Sequence, residues 1–344
     1  PKKDIGSKTL LYADRCVMCS RCVRFCNEVA GTGELAIVNR GSRAEIDVFP
    51  GIPLENKLQG NVVDICPVGC LLDKDFLMQQ RVWFLKSADS VCAGCSAGCA
   101  ITVDANEGKV WRLKPRFNPG VNDWWMCDAG RFGHKYVHDP RRLNRLAVRR
   151  GAELDYPDWS ALPEIATLRL EAVVQKDGAA SVAAVLSPFM SCEEAWLLAS
   201  FVRSVAPQAA LVMGPVPVDG EDEGFPKGSN GHASKFTIRA EKCPNRRGIE
   251  MILAAMGGTT LSYADFEKQA GEKKFSAAWI VGGSPIDWVD GDLKKALGHI
   301  QTVFAQDIFP GALTDAATVV IPSCSWAERS GCFVNVDGKI QPFE

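Results

Sequence analysis

The sequence lacks a long apolar run, a dominant charge and a phosphate-binding Walker A motif. No stretch approaches the roughly 18–20 uninterrupted apolar residues of a membrane-spanning helix, so we expect any membrane association to go through partners. The 39 basic and 41 acidic residues give a net charge of −2, which offers no support for a nucleic-acid partner. The turn Gly282–Pro285 follows an apolar run but departs from G-x-G-x-x-G, so we predict a plain strand-to-helix turn there.

Histidine is scarce, and a leader segment is not evident. The histidines His134, His138, His232 and His299 show no mutual spacing, so none is predicted to be catalytic. No secretory signal follows Pro1, and without an initiator Met we expect the chain to be part of a longer product. The chain is too large for a secreted disulfide scaffold, so its 14 cysteines indicate a reducing cytosol and metal or catalytic clusters.

Eight of the cysteines form two groups, each with three close members and one distant member. The groups are Cys16, Cys19, Cys22 and Cys66, and Cys92, Cys95, Cys99 and Cys127. Three cysteines within eight residues cannot all bridge to one another, because disulfides need separated and correctly directed Cβ vectors. Each can instead donate a thiolate to one corner iron of a cubane. The sequence therefore predicts two [4Fe–4S] clusters with these eight ligands.

The first group is an incomplete two-cluster ferredoxin pattern. Bacterial ferredoxins repeat C-x2-C-x2-C-x3-C-P, and the fourth cysteine of each run ligates the other cluster. Here the first run is intact to Cys26, whereas only Cys66-Pro67 remains of the second. If the fourth cysteines are exchanged between clusters in the same way here, Cys66 completes the first cluster and Cys26 has no cluster to ligate. We therefore predict that Cys26 is a structural thiol, and we predict the same of Cys70. A zinc site stays an alternative, although zinc sites usually combine two close cysteine pairs.

Two resemblances follow from these motifs. The second group, with the Asp128–His134 run after Cys127 and Asp139–Leu143 beyond it, resembles the cluster domain of molybdopterin oxidoreductases. The run Asp14–Phe25 with Gly60–Gly69 resembles the large iron–sulfur subunit of respiratory complex I, and this likeness is strong over residues 9–145. It implies an electron-transfer subunit that relays single electrons from a flavin partner toward quinone, with no bond chemistry of its own.

The resemblance also implies partners and a location. Expected partners are a flavin- and NADH-binding subunit and further iron–sulfur subunits, on the cytoplasmic side of the bacterial inner membrane. The family's preceding [2Fe–2S] and His-plus-three-Cys motifs are not in this sequence. No molybdopterin is expected, because Asp128–Gly130 stands where catalytic relatives place a lysine and the chain after Cys127 is short. The alternative is a catalytic or diaphorase subunit of a formate dehydrogenase or NAD-linked hydrogenase.

The expected fold is multidomain α/β. We predict a ferredoxin-like [4Fe–4S] domain at residues 1–80 and a small antiparallel-β [4Fe–4S] domain at 81–150. Apolar runs alternating with helical segments, such as Val182–Leu186 and a helix capped by Ser191, predict a doubly wound Rossmann-like domain at 151–344. The resemblance implies that this domain is a reduced molybdopterin-oxidoreductase type without cofactor. We expect residues 215–246 to be a surface loop on a partner, and we predict four structural thiols: Cys192, Cys243, Cys324 and Cys332.

Overall fold

The computed structural model describes residues 2–151, 153–228, 234–286 and 288–344. The strands are β1 Lys2–Asp4, β2 Thr9–Tyr12, β3 Leu35–Val38, β4 Glu45–Val48, β5 Leu71–Asp73, β6 Lys86–Val91, β7 Ala100–Asn106, β8 Lys109–Pro115, β9 Ala147–Arg150, β10 Glu153–Asp155, β11 Val182–Leu186, β12 Ala210–Met213, β13 Glu223–Phe225, β14 Phe236–Ile238, β15 Thr260–Leu261, β16 Ala277–Val281, β17 Thr302–Asp307, β18 Val319–Pro322, β19 Gly331–Val334 and β20 Ile340–Phe343. The helices are α1 Arg21–Phe25, α2 Asn61–Ile65, α3 Asp128–Phe132, α4 Leu162–Asp177, α5 Cys192–Val205, α6 Arg246–Met256, α7 Tyr263–Gly271, α8 Gly291–Leu297 and α9 Ala312–Ala316.

The chain forms two compact units. The first contains residues 1–135 and 218–242, and the second contains 136–217 and 243–344. Both predicted cluster segments lie in the first unit, and the boundaries of the three predicted domains stay predictions. Within the described residues, no helix is both long and apolar enough to span a membrane.

Short antiparallel sheets dominate the first part of the first unit. Strand β2 lies between β1 and β5, and β3 pairs with β4. Helix α1 continues as a π-helix over Cys26–Ala30 and ends at Gly31, whose φ of 73° is left-handed. The sequence of residues 21–30 predicts a helix ended by Gly31, and Arg40, Gly41 and Ser42 between two apolar runs predict a hairpin. Both predictions are confirmed.

A second sheet of β6, β7 and β8 follows in the same unit. The alternating residues on both sides of 105–108 predict a hairpin, which is confirmed by β7 and β8; its turn places Glu107 and Gly108 at φ values of 51° and 72°. The apolar residues of 81–85 also predict the start of a strand. This prediction is wrong, because Val82–Phe84 forms a 3-10 turn and β6 begins only at Lys86.

A large mixed sheet organises the second unit. Its strands lie in the order β10-β9-β18-β17-β16-β11-β12-β15, and the last six are parallel to one another. Numbered along the chain, these six follow the order 3-2-1-4-5-6 of doubly wound folds. The predicted doubly wound sheet is thus confirmed, with β15 and the antiparallel β9 and β10 as unpredicted edges.

Separate apolar clusters cover the two faces of this sheet. One cluster includes Leu170 of α4, Ala195 of α5 and Ile249 of α6, and the other includes Phe266 of α7 and Leu293 of α8. Full burial of a Leu, Ile or Phe side chain contributes about 1.5–3 kcal/mol. Each face of the sheet therefore packs against its own helices through a separate apolar core.

Helix α5 begins at the predicted cap. The Glu194 amide donates to Ser191 Oγ (3.2 Å), and the Ser191 amide donates to Glu194 Oε2 (2.9 Å). This capping box satisfies two amides that the helix leaves unpaired. The prediction of Ser191 as the N-cap is confirmed.

The expectation of a surface loop over residues 215–246 is wrong for the part that the structure describes. Strands β13 and β14 form a hairpin in the first unit, and Phe225, Phe236 and Ile238 are buried. Removing these apolar side chains from water is favourable, whereas an exposed loop would leave them in water. Residues 229–233, which include His232, lie outside the described residues.

Candidate iron–sulfur cluster sites

One pocket in the first unit collects the first group of cysteines. It is lined by Leu11, Cys16, Val17, Cys19, Ser20, Arg21, Cys22, Ile46, Cys66, Pro67, Val68, Cys70 and Leu71. The four predicted ligands are therefore brought together from residues 16–22 and from the end of α2. Cys70, predicted to be structural, lines the same pocket as a fifth thiol.

The loop from Cys16 to Cys22 has an unusual backbone. Met18 and Ser20 have φ values of 54° and 57°, in the left-handed region that non-glycine residues seldom adopt. The Met18 amide lies 3.4 Å from Cys16 Sγ and can donate to it. The loop thus wraps around the Cys16 sulfur before α1 begins.

Cys66 reaches the pocket because α2 ends just before it. Its φ and ψ of −74° and 113° are extended, as expected for a residue that precedes a proline. The apolar residues after Asn61 predict a helix that carries Cys66 and Leu71, and this prediction is wrong because α2 ends at Ile65. Pro67 therefore directs the chain away from the helix axis at the fourth predicted ligand.

The thiols of the first site differ in exposure. Cys19 is exposed, Cys16 and Cys66 are half-buried, and Cys22 is buried. Burial, with smaller contributions from the neighbouring thiols of Cys16, Cys66 and Cys19, raises the pKa of Cys22 to about 11. Such thiols become thiolates readily only beside a cation, and the irons of a cluster would supply that charge.

The second site lies where β6 turns into β7. The Cys92 amide donates to the Cys99 carbonyl (2.9 Å), which closes the loop, and Gly98 adopts a φ of 64° within it. Cys127 is the N-cap of α3, and its Sγ accepts from the Gly130 amide at 3.4 Å. The hairpin and the start of α3 therefore supply the predicted ligands.

All four thiols of the second site are buried and close to one another. Burial raises the pKa of Cys99, and the charges of Cys92, Cys95 and Cys127 raise it further. Burial also raises the pKa of Cys92, with contributions from Cys95 and Cys127. Burial raises the pKa of Cys127 to about 11, and Cys95 adds to the rise. Every pair of the four thiols thus interacts electrostatically.

Two further features of the second site fit a cluster. A Cβ added at Gly130 would lie 2.9 Å from Cys92 Sγ and 3.7 Å from Cys127 Sγ, so the backbone there must stay bare. The hydroxyl of Ser96, in the middle of the cysteine loop, is buried with no hydrogen-bond partner. A cluster sulfide or a ligand sulfur would accept the hydrogen bond that this buried hydroxyl does not make within the protein.

The returning segment 218–242 also contributes to the second site. The Ser96 amide donates to the Glu241 carbonyl (3.0 Å). The Lys242 ammonium, held by the Arg239 carbonyl at 2.6 Å, acts on Cys127 and lowers the pKa of that thiol. Sequence spacing gave no sign of Lys242, because more than a hundred residues separate it from Cys127.

Hydrogen bonds join α2, which leads into the first site, to the segment before α3 at the second site. The Asn61 side chain donates to the Met126 carbonyl (2.8 Å) and accepts from the Met126 amide (3.2 Å). The Asp128 amide donates to the Lys57 carbonyl (2.8 Å), and Asp128 Oδ1 accepts from the Gly60 amide (2.9 Å). Backbone and side-chain hydrogen bonds therefore connect residues 57–61 to residues 126–128.

An ion pair between a buried arginine and a more exposed aspartate extends this connection. Arg131 of α3 lies 2.5 Å from Asp64 of α2, and only 5% of the Arg131 side chain is exposed. Arg131 also donates to the Leu113 carbonyl at 3.3 Å. An arginine fixed in this way binds the helix after Cys127 to the helix before Cys66.

The tryptophans before Cys127 do not all enclose the second site. Trp124 is exposed and stacks on Phe117 at 4.3 Å, whereas Trp125 packs against Phe25 at 5.0 Å. Met126 is buried, and its Cε lies 3.7 Å from the Cβ position of Gly130. Met126 is thus the member of the Trp124–Met126 run that packs beside the second site.

Cys26 does not line the pocket of the first group of cysteines, and His134 is buried beside α3. Cys26 is fully buried, and burial raises the pKa of its thiol to about 12. His134 is buried, with Nδ1 at 3.1 Å from the Arg131 carbonyl. Among the described residues, no three His, Cys, Asp or Glu side chains form a group arranged to hold a single metal ion.

The Gly282–Pro285 turn lies at the carboxyl end of β16 in the second unit. Ser284 and Pro285 line a cavity with Asp307, the last residue of β17. A Cβ at Gly282 would lie 2.1 Å from Asp307 Oδ2, so close approach of this carboxylate explains the glycine.

Two family models match the part of the chain that carries both sites. Residues 6–72 match the ferredoxin-like domain of NADH-quinone oxidoreductase subunit 3. Residues 85–139 match the molybdopterin oxidoreductase Fe4S4 domain. The two resemblances inferred from the cysteine motifs are confirmed, and the chain carries iron–sulfur cluster domains.

Curated relatives match a similar stretch. The chain is 35% identical over 200 residues to an NADH-quinone oxidoreductase subunit of Streptomyces coelicolor, covering 58% of this chain and 23% of that protein. It is 35% identical over 197 residues to NADH-quinone oxidoreductase subunit 3 of Thermus thermophilus, covering 57% and 24%. It is 34% identical over 191 residues to NADPH-Fe(3+) oxidoreductase subunit alpha of Geobacter sulfurreducens, covering 56% and 22%. The chain thus spans about a quarter of these relatives' length.

A solved structure also shows a distant likeness. Acetylene hydratase from Pelobacter acetylenicus matches 64% of this chain and 27% of its own, at 14% identity and a TM-score of 0.31. At this TM-score the likeness carries no argument about fold or function.

Proposed function

We propose that the chain is an electron-transfer subunit of a complex I-like NADH:quinone oxidoreductase, relaying single electrons from a flavin partner toward quinone. The observation that carries the proposal is the gathering of two sets of four cysteines into two sites of one unit. The names of the relatives from Streptomyces coelicolor and Thermus thermophilus support the choice of enzyme. The formate dehydrogenase and hydrogenase alternatives are not favoured by any of these names.

Each site is proposed to hold one [4Fe–4S] cluster. The ligands would be Cys16, Cys19, Cys22 and Cys66 at the first site, and Cys92, Cys95, Cys99 and Cys127 at the second. Such a cluster supplies one-electron transfer at a potential set by hydrogen bonds to sulfur, local charge and burial. The protein fixes the thiols, excludes water at the second site and leaves Cys19 at the surface of the first.

The two sites are proposed to have different roles. The exposed Cys19 lets a partner's redox group come close to the first site, so we assign electron transit to it. The second site joins a hairpin, the start of α3 and the segment ending at Lys242, so we assign it a mainly structural role. Metal binding couples directly to folding where a site draws together distant segments.

The remaining domains and partners follow from the same proposal. We propose three domains at residues 1–80, 81–150 and 151–344, the last a reduced molybdopterin-oxidoreductase type that binds no molybdopterin. Proposed partners are a flavin- and NADH-binding subunit and further iron–sulfur subunits, on the cytoplasmic side of the bacterial inner membrane. The relatives' names as subunits support a multi-subunit assembly.

Metal analysis of anaerobically purified protein tests the proposal. We expect about eight irons and about eight acid-labile sulfides per chain, from two four-iron centres. Stoichiometric zinc with little iron would contradict the cluster assignment at both sites. Stoichiometric molybdenum would favour the catalytic alternative, and purification without any membrane-bound partner would favour the diaphorase alternative.

A further inference from the structure

The turn between β5 and β6 exposes three consecutive large apolar side chains. Trp83 is 74% exposed, and Val82 and Phe84 are each 56% exposed. The rings of Trp83 and Phe84 lie 6.0 Å apart, and Met78 of the same segment is exposed as well. Single exposed apolar residues are common on protein surfaces, whereas a contiguous group of them marks an interaction site. We call residues 82–84 the aromatic patch.

Backbone hydrogen bonds hold the aromatic patch in a defined turn. The Phe84 amide donates to the Arg81 carbonyl at 3.1 Å. The Leu85 amide donates to the Val82 carbonyl at 3.1 Å, and β6 begins at the next residue. A surface that is ordered before binding loses little conformational entropy when a partner docks on it. The backbone under the patch is therefore preorganised for binding.

Two cations flank the aromatic patch. Arg81 precedes it, with its guanidinium 5.8 Å from the centre of the Trp83 ring, and Lys86 follows it. Neither cation pairs with a carboxylate among the residues that the structure describes. Arg112 of the same sheet, by contrast, lies 2.6 Å from Asp104. The rim of the patch thus carries two uncompensated positive charges, and a complementary surface carries carboxylates.

The composition of this surface favours a protein over a lipid bilayer. Basic segments that bind anionic lipid usually contain about four to eight Lys or Arg residues, whereas the aromatic patch has two beside it. Trp, Phe and Arg are enriched in protein–protein interfaces, and Trp and Arg supply much of the binding energy there. An ordered turn that combines these residue types fits the groove of a protein partner.

We propose that the aromatic patch, with Arg81 and Lys86, docks a protein partner that presents an apolar groove rimmed by Asp or Glu side chains. Trp83 enters the groove, and the two cations meet its carboxylates. The inference rests on the proposed function for one point only, which is that the chain works within a multi-subunit assembly. It adds the surface that holds a neighbouring subunit.

Photo-cross-linking within the complex, purified through a tag on this chain, tests the docking surface. p-Benzoylphenylalanine in place of Phe84 should link to a different polypeptide, and mass spectrometry should find the linked site in an apolar segment with Asp or Glu nearby. The same probe in place of Leu197, an exposed residue of α5, is the matched control and should not link to that segment. Links only to this chain, to a second copy of it or to lipid would overturn the inference.

Single substitutions measure how much the patch contributes to binding. Trp83→Ala should weaken the affinity for the cross-linked subunit about tenfold or more, measured by dilution of the tagged complex. Trp196→Ala removes an exposed tryptophan of α5 and should leave the affinity unchanged. Arg81→Gln should weaken the affinity and make it less dependent on salt, because one charge at the interface is lost. All three variants should keep the parental circular dichroism and iron content.

The outcomes separate this inference from the proposed function. Equal affinity in Trp83→Ala and the parent would overturn the docking surface even if the chain holds two four-iron centres. Flotation of the purified chain with vesicles of phosphatidylethanolamine and phosphatidylglycerol, abolished by Trp83→Ala, would make the patch a lipid-binding surface instead. A chain that holds zinc but still needs Trp83 to keep its partner would contradict the cluster assignment and support the docking surface. A chain that purifies alone would contradict both.

Discussion

The two cysteine sites differ most in how far the protein encloses them. At the first site Cys19 is exposed, and the neighbouring Val17 is 60% exposed. At the second site all four cysteines are between 4% and 8% exposed. A group near the surface can be approached by a partner's redox centre, whereas an enclosed group exchanges electrons over a longer distance.

The enclosure of the second site also has a cost that a bound cluster would offset. Burial raises the pKa of Cys92, Cys99 and Cys127, so these thiols stay protonated without a cation, and the Ser96 hydroxyl lacks a partner. A buried donor without a partner costs about 1–3 kcal/mol. Occupation of the site therefore stabilises the fold around it, and hydrogen bonds from residues 126–128 to residues 57–61 extend that effect toward the first site.

The largest expected effect separates a ligand from a non-ligand at the first site. Cys66→Ala should abolish the EPR signal of the first centre, because the cluster loses one of its four thiolates. Cys26→Ala should retain the signal and lower the free energy of unfolding by only about 1–2 kcal/mol, as expected for a small cavity. The opposite pattern would show that the crossed ligand assignment is wrong.

A smaller effect is expected when the connection between the sites is cut. Arg131→Met removes the hydrogen bonds that a buried guanidinium makes to Asp64 and to the Leu113 carbonyl, and it should lower the free energy of unfolding by about 1.5–3 kcal/mol. Arg141→Met is the matched control, because the Arg141 side chain is 77% exposed beside Asp139. Such an exposed pair contributes about 0–1 kcal/mol. Chemical denaturation measures the free energy of unfolding of both variants. An equal decrease in the two would show that Arg131 stabilises the protein no more than the exposed Arg141 does.

The smallest expected effect concerns two glycines around α3. Gly130→Ala would force a methyl group to 2.9 Å from Cys92 Sγ, and overpacking of this kind costs about 1–3 kcal/mol. Gly133→Ala meets no atom within 4 Å and should change the stability by less than about 1 kcal/mol. Thermal unfolding and iron retention at the second site measure both variants. Iron loss in Gly133→Ala alone would contradict the described packing.

Local patterns indicate three members of each proposed ligand set, because each run of three cysteines lies within eight residues. The ligand sets themselves stay predictions. The hairpin of β7 and β8, the cap at Ser191 and the doubly wound sheet were predictable for the same reason, since their signals are short in sequence. The turn Val82–Phe84 was not, because its apolar residues are exposed instead of paired in a sheet.

Long-range placement could not be predicted from spacing. Cys70 enters the first site only because β5 pairs with β2, and Lys242 reaches the second site only because residues 218–242 return to the first unit. Neither the pairing of β5 with β2 nor the return of residues 218–242 produces a recognisable pattern in the sequence near these cysteines. The two-residue β15 is likewise too short for any pattern.

Turnover per assembled complex, measured in ligand variants of the two sites, tests the unequal roles most directly. Cys19→Ser should stop NADH-to-quinone electron flow even in complexes that assemble. Cys95→Ser should reduce the yield of assembled complex, because the buried site loses its cluster, while turnover per assembled complex stays near the parental value. Fully assembled Cys95→Ser complexes that cannot pass electrons would contradict the structural role of the second site and put it on the main electron path.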